Sequence, residues 1–470
     1  MRLMIAGGGG FRVPLVYRAL STGPFAGLVR ELVLFDVDPG RLAAIEAVLA
    51  ALDATTPGPP VRTSTSLPDA LAGVDVVFAA IRPGGTAGRT ADERVPLDLG
   101  LLGQETTGAG GISYALRSIP AMLELAHAMR RHCPAAWLVN FTNPAGMVTE
   151  ALVPVLGKAV IGICDSASGL VSRAARAAGA PLPGGRLDGV GYYGLNHLGW
   201  LYRLESGGRD LLPGLLADAH ALSTFEEGRL FPQPFLAALG SLPNEYLYYY
   251  YETERATGAI RSMHRTRGES IHEQQTELYP RLAAAGLRAY ELWDAARLSR
   301  EEGYLAEART GGGHRNEEGL AGGGYERVAL AVMQALSGRG DTELILNTPN
   351  SVPSQATPDA GRAVPAIPGL PAGAVVEVPC RVTRDGAAPL PQDRPAAAQL
   401  ALMQRVKEVE QLTVRAATYG QRDAALQAFA RHPLVDSEEL AVALLAGYEA
   451  QFPGLRQLWR AGGENSFLGS

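Results

Sequence analysis

Three features of this 470-residue chain offer groups suited to chemistry. The first is a glycine run, Gly7, Gly8, Gly9 and Gly10 within MIAGGGG, ahead of a helical pattern. Such a turn sets backbone N–H groups and a helix N-terminus against a dinucleotide pyrophosphate. The others are Cys164, in GICDSASG, and His197, in YYGLNHLGW, a thiolate and an imidazole able to ligate a divalent metal. A redox cofactor and a catalytic metal together narrow the function more than either does alone. Each feature also has a plain structural reading: a tight turn for the glycines, core packing for Cys164, a hydrogen-bonded histidine for His197. Two ligands are one short of a protein-complete catalytic zinc site, so a metal here needs substrate oxygens or water to complete its shell.

Further polar residues fall where a ligand would meet them. Asp36 ends the second apolar run, somewhat more than twenty residues after the glycines. A carboxylate there accepts hydrogen bonds from the adenosine ribose and favours NAD over NADP. Read strictly, GGGG followed by Phe11, Arg12, Val13 and Pro14 lacks the last glycine of the usual fingerprint. In IRPGGTAGRT, Arg82 and Arg89 suit an anion, with surface solvation as the alternative, and Gln104, Glu105 and Thr106 suit a nicotinamide ribose or a sugar. Asn140 and Asn143 of NFTNP follow a strand pattern and would project from the carboxyl end of a sheet, although an Asn before Pro is also a turn former.

The elements that must position these groups alternate. Strands are expected at Arg2 to Ala6, Glu31 to Phe35, Val74 to Ala80, Trp137 to Asn140 and Ala159 to Ile163, with helices at Val13 to Ser21, Ile119 to Arg131 and Met147 to Leu156. This is an α/β pattern, an N-terminal Rossmann-like parallel sheet with helices on both faces. Beyond Cys164 the pattern becomes a mixed α+β domain. Helices are expected at Ser168 to Ala178, Leu278 to Asp294, Tyr325 to Leu336, Ala396 to Tyr419 and Ser437 to Ala450, and strands at Glu343 to Asn347 and Val375 to Val378. Thr348 to Gly373 reads as an irregular loop. The expected division is a nucleotide-binding domain over 1–165 and a substrate, metal and oligomerisation domain over 166–470.

Composition bounds the rest. Apolar residues make up 47% and charged residues 19%, the balance of a globular enzyme rather than a disordered or fibrous chain. A formal net charge of −6 argues against nucleic acid as the main partner. No run approaches the roughly 20 apolar residues of a membrane span, and the start lacks a signal-peptide pattern, so a cytoplasmic location is expected. Three scattered cysteines form no disulfide framework.

In order along the chain, AGGG with its later Pro14, Asp36, IRPGG, GQETTGAGG, NFTNP, the Cys164–Asp165 pair and GLNH resemble glycoside hydrolase family 4, the NAD- and manganese-dependent glycosidases. The resemblance implies that Cys164 and His197 hold a divalent metal, typically Mn²⁺, together with sugar hydroxyls. It makes Tyr246, in LPNEYLYYYY, the catalytic base that removes the C2 proton after NAD has oxidised C3. Without the resemblance, Tyr246 is one tyrosine of a cluster that packs. Arg267, in HRTRGES, resembles the position holding a sugar 6-phosphate, with an exposed ion pair to Glu269 as the alternative. Arg82 is assigned to the cofactor, and Arg89 and Asn143 to the substrate. A homo-oligomer, dimer or tetramer, is expected.

Subtype is read from the residues after the metal cysteine. Cys-Asp resembles the α-type members, in which the acid protonates the leaving group, and makes Asp165 a second catalytic residue. The tyrosine-rich segment and GYYGLNHLGW look more like 6-phospho-β-glucosidases, and the expected substrate is therefore a 6-phospho-β-glucoside. The alternatives are a 6-phospho-α-glucosidase, an unphosphorylated α-glycosidase of the same family, an NAD-dependent hydroxy-acid dehydrogenase, or a sugar-phosphate sensor without catalysis.

Overall fold

A computed structural model describes residues 1–182, 186–303, 308, 324–352 and 364–466. Thirteen strands are formed among them: β1 Arg2–Ala6, β2 Glu31–Phe35, β3 Val61–Ser64, β4 Val76–Ala79, β5 Trp137–Asn140, β6 Val160–Gly162, β7 Val190–Leu195, β8 Leu198–Ser206, β9 Arg209–Asp210, β10 Leu242–Pro243, β11 Thr342–Pro349, β12 Val375–Thr383 and β13 Gly386–Pro389. The main path is β10-β8-β7-β12-β11-β6-β5-β4-β1-β2-β3. From β3 to β6 every pairing is parallel, and from β6 onward every pairing is antiparallel. The α/β fold with a Rossmann-like parallel half and a mixed remainder is thus present, and the two halves share one sheet.

Alternation along β1 explains how the sheet is buried. Leu3 and Ile5 point into one apolar core, while Met4 and Ala6 point into the other, on the opposite face. The second core is closed by the helices Ala109–His132 and Ala397–Tyr419, which pack together, so the C-terminal helices cover the N-terminal sheet. Among the described residues no helix is long and apolar enough to cross a membrane.

Most expected elements form within a few residues of their predicted ends. One of the exceptions is Leu278 to Asp294, where two helices, Arg267–Ala284 and Ala289–Glu302, replace one. Gly286, at φ 55°, interrupts the helical pattern in a residue type that enters the left-handed region without steric cost. The helix Ala109–His132 begins ten residues before its expected start because Gly110 and Gly111 sit in its first turn against the backbone of Gln104 and Thr106. The strand expected over Val375 to Val378 extends to Thr383. Residues 353–363 of the expected irregular loop lie outside the described residues.

Candidate active site

A cavity of about 860 Å³ opens over the carboxyl ends of the parallel strands, the edge at which such sheets bind ligands. Its lining brings together Asp36, Arg82, Arg89, Asn143, Asp165, His197, Tyr246 and Arg267, eight of the side chains singled out from the sequence. Cys164 is buried two residues past the end of β6, directly before Asp165.

The glycine turn closes by hydrogen bonds from the Gly7 and Gly8 N–H groups to Phe35 O, at 2.9 and 2.7 Å, and from Gly10 N–H to Gly7 O at 2.9 Å. Gly7, at φ 88°, has no room for a side chain, since a Cβ would stand 2.6 Å from Ala80 O. Gly8 is pressed onto Leu34 in the same way, at 2.7 Å. Gly7 and Gly10 face the cavity, whereas Gly8 and Gly9 shape the turn from behind. Asp36 Oδ2 accepts from Gly9 N–H at 3.0 Å, which fixes the carboxylate at the rim. A cradle of this closeness, followed by the helix Val13–Ser21 with Pro14 in its first turn, fits a dinucleotide pyrophosphate.

A buried ion cluster forms the middle wall. Glu105 joins Arg82 at 2.6 Å and Arg89 at 2.7 Å, and Arg89 also meets Glu93 at 2.9 Å. Glu93 in turn accepts from Gly268 N–H at 2.7 Å, tying the cluster to the start of the helix Arg267–Ala284. Burial pushes the Glu105 carboxyl up, but the two guanidiniums outweigh it and leave it lowered to about 2. Glu105 is therefore an anchor for two arginines, and Gln104 Oε1 is committed to the Thr106 and Thr107 N–H groups at 2.6 Å each. Arg267 Nη2 donates to Arg300 O at 3.3 Å. The suggested pairing of Arg267 with Glu269 does not form: Glu269 binds Arg94 at 2.6 and 2.5 Å and completes a capping box with Thr266.

His197 sits in the two-residue turn between β7 and β8, at φ 63°, a strained conformation for a non-glycine residue. Its ring stacks on Tyr246 at 3.6 Å and 6°. Burial lowers the imidazole to about 3, keeping it neutral, and Nδ1 is buried with no hydrogen-bond partner among the described residues. The Cys164 thiol is pushed well above its ordinary value by burial and by the charges of Glu377 and Asp165. A neutral imidazole with an orphaned nitrogen and a buried thiol are each of the donor type that binds a divalent transition metal. Among the described residues no group of three or more His, Cys, Asp or Glu gathers to hold a metal by itself.

Asn143 Oδ1 is likewise buried without a hydrogen-bond partner among the described residues, while its Nδ2 donates to Phe141 O at 3.3 Å. Asn140 is turned into its own loop instead: its Oδ1 accepts from Thr142 N–H at 3.0 Å. Asp165 is raised to about 6 by burial, against the opposing pull of Arg12.

Sequence reasoning missed five side chains. Glu377, buried on β12, accepts from Tyr192 Oη at 2.9 Å, Asn347 Nδ2 at 3.3 Å and Asn196 Nδ2 at 3.5 Å. Asn196 Oδ1 accepts from Ala145 N–H at 3.0 Å, so one residue links the His197 turn to the NFTNP loop. Glu245, beside Tyr246, accepts from Ser166 Oγ at 2.7 Å and is pushed up to about 8 by burial and by Glu227. Arg300 and Arg12 also reach the cavity. An isolated acid in a strand pattern, as Glu377 is in VVEVP, was the available signal for the first.

The profile of the family 4 glycosyl hydrolases matches residues 3–179, and that of the family 4 glycosyl hydrolase C-terminal domain matches residues 192–435. The chain belongs to glycosyl hydrolase family 4. A probable 6-phospho-beta-glucosidase of Bacillus subtilis is 30% identical to this family 4 enzyme, over 89% of this chain and 88% of its own. A maltose-6'-phosphate glucosidase of Fusobacterium mortiferum is 29% identical over 94% and 96%. The structure of the 6-phospho-beta glucosidase from Thermotoga maritima with manganese, NAD+ and glucose-6-phosphate superposes with a TM-score of 0.76, at 26% identity over 96% of this chain and 98% of that one.

Proposed function

We propose that this family 4 enzyme hydrolyses 6-phospho-β-glucosides, with NAD and a divalent metal. The observation that carries the reading is the stacking of Tyr246 on His197 in the same cavity as the glycine turn and the arginine cluster. Bound NAD would take hydride from C3 and return it, and a metal held by Cys164 and His197 would polarise the neighbouring sugar oxygens. With C3 at the ketone level the C2 proton is acidic, and Tyr246 takes it. Loss of the C1 substituent follows, water adds, and the hydride returns, so no net oxidation occurs. Paired carboxylates are not required by this chemistry, because the proton is lost from C2 rather than delivered against a carboxylate nucleophile. Asn143, with its orphaned Oδ1, would accept from a sugar hydroxyl, and Arg89 and Arg267 would hold the phosphate.

The β assignment rests on the tyrosine-rich segment and on the likeness to the Bacillus subtilis and Thermotoga maritima proteins. One observation favours an α-linked substrate: Asp165 lines the cavity with a carboxyl raised to about 6, the property of a group that donates a proton to a leaving oxygen. Four aryl glucosides, α and β, with and without 6-phosphate, separate the readings in the presence of NAD and Mn²⁺. The 6-phospho-β compound is expected to be cleaved best. Preference for the α compound moves the assignment to the second reading, and preference for an unphosphorylated one rejects both. Net accumulation of NADH would mark a dehydrogenase.

A further inference from the structure

Arg300 stands near the C-terminal end of the helix Ala289–Glu302 and lines the cavity. Its guanidinium carbon lies 5.0 Å from the centroid of Phe11, at the glycine turn. Nε and Nη1 are buried, and neither has a hydrogen-bond partner among the described residues. Nearby acids are engaged elsewhere: Glu301 with Arg12 at 2.9 Å, and Glu93 and Glu105 with Arg89. Burial acts against the charge of Arg300 first, and Arg12, Arg267 and Arg89 add to it. A helix C-terminus and an aromatic face favour a cation, but neither fills the N–H donors of a guanidinium, which has no acceptor and does not lose its proton. A dry arginine among like charges is a standing cost unless an anion enters.

We infer that Arg300 binds a phosphate group of a ligand in this cavity. A planar cation rich in donors suits phosphate oxygens better than a hydroxyl, and the anion offsets the repulsion among the four arginines. Two sources of that phosphate lie within the proposed function, on which the inference rests. One is the cofactor pyrophosphate, at whose turn Phe11 stands. The other is the sugar 6-phosphate beside Arg267, which itself touches the Arg300 backbone. The same reasoning predicts an opposition between stability and binding: without ligand, Arg300 should weaken the fold that it equips.

The test uses the full chain and the substitutions Arg300→Met and Arg300→Lys. Binding of NAD and of glucose 6-phosphate is measured separately by calorimetry, and the melting temperature is measured without either. Arg300→Met should weaken one ligand by at least about ten-fold, the loss expected for a charge-assisted hydrogen bond, with Arg300→Lys in between. Loss confined to glucose 6-phosphate assigns the sugar as the source, and loss confined to NAD assigns the cofactor. The ligand-free melting temperature of Arg300→Met should equal or exceed that of the parent. Unchanged binding of both ligands overturns the inference, as does a lower melting temperature with both ligands weakened alike, which would mark a structural role. Should the parent bind neither ligand, the proposed function fails and the inference falls with it; if only the variant data disagree, the inference alone fails.

Discussion

Replacing Glu105 by Gln removes the negative centre of the cavity wall while keeping its shape. The parent carboxylate meets Arg82 at 2.6 Å and Arg89 at 2.7 Å; Glu105 and Arg89 are buried and Arg82 is half-buried. Despite burial, its carboxyl is lowered from 4.5 to about 2 by the two guanidiniums. At about 1.4 kcal/mol per tenfold, that preference for the charged form corresponds to about 3 kcal/mol. Breaking a buried ion pair on one side costs about 3–5 kcal/mol, and Glu93 still holds Arg89 here, so the lower end is expected. An unfolding entropy of about 2.1 cal/mol/K per residue, over a chain of 470 residues, converts this to a loss of about 3 °C in Tm. The assay is thermal unfolding of both proteins from neutral pH downward. Because the folded carboxyl is depressed, its contribution is complete above the unfolded value near 4.5 and is lost as pH falls through about 2. The gap between parent and variant should therefore hold at neutral pH and narrow below about pH 4.5. A loss below about 1 °C, or a gap that widens on acidification, would refute the ion-cluster argument.

Three further outcomes test individual roles. Tyr246→Phe should reduce hydrolysis by about 10²–10⁴-fold with NAD affinity unchanged, and a smaller loss removes Tyr246 as the base. Cys164→Ser should weaken Mn²⁺ binding, read as free Mn²⁺ by electron paramagnetic resonance, by at least about ten-fold, since even residues behind a metal ligand cost that much. If Asp165, raised to about 6, donates a proton, hydrolysis of glycosides with poor leaving groups should fall as pH rises through about 6. Asp165→Asn should abolish that limb; an unaltered pH profile would exclude the acid role.

Legibility in the sequence differed by kind of residue. Period and punctuation located the β-turn-α start, the helix Tyr325–Leu336 and the strand Trp137–Asn140 with matching ends, because each is set by local apolar spacing bounded by Gly, Pro or Asn. The glycine turn was equally legible, yet only the fold shows that Gly8 and Gly9 work by packing against Leu34 and Arg41. Glu105 was read as a ligand contact because its neighbours are polar; its two arginine partners lie 23 and 16 residues away, a separation that no local pattern encodes. The partners of Glu377 and Arg300 were hidden for the same reason, although an acid inside the strand pattern VVEVP marked Glu377 as unusual. Their meaning comes from β12 pairing with β7, distant in sequence, and from a helix end meeting the glycine turn.

The most direct test of the central claim follows solvent hydrogen. Hydrolysis of a 6-phosphoglucoside in D₂O, with NAD and Mn²⁺ supplied, should yield glucose 6-phosphate carrying deuterium at C2, with no NADH accumulating. Product free of deuterium at C2 would contradict proton removal by Tyr246 and the redox-assisted elimination built around it.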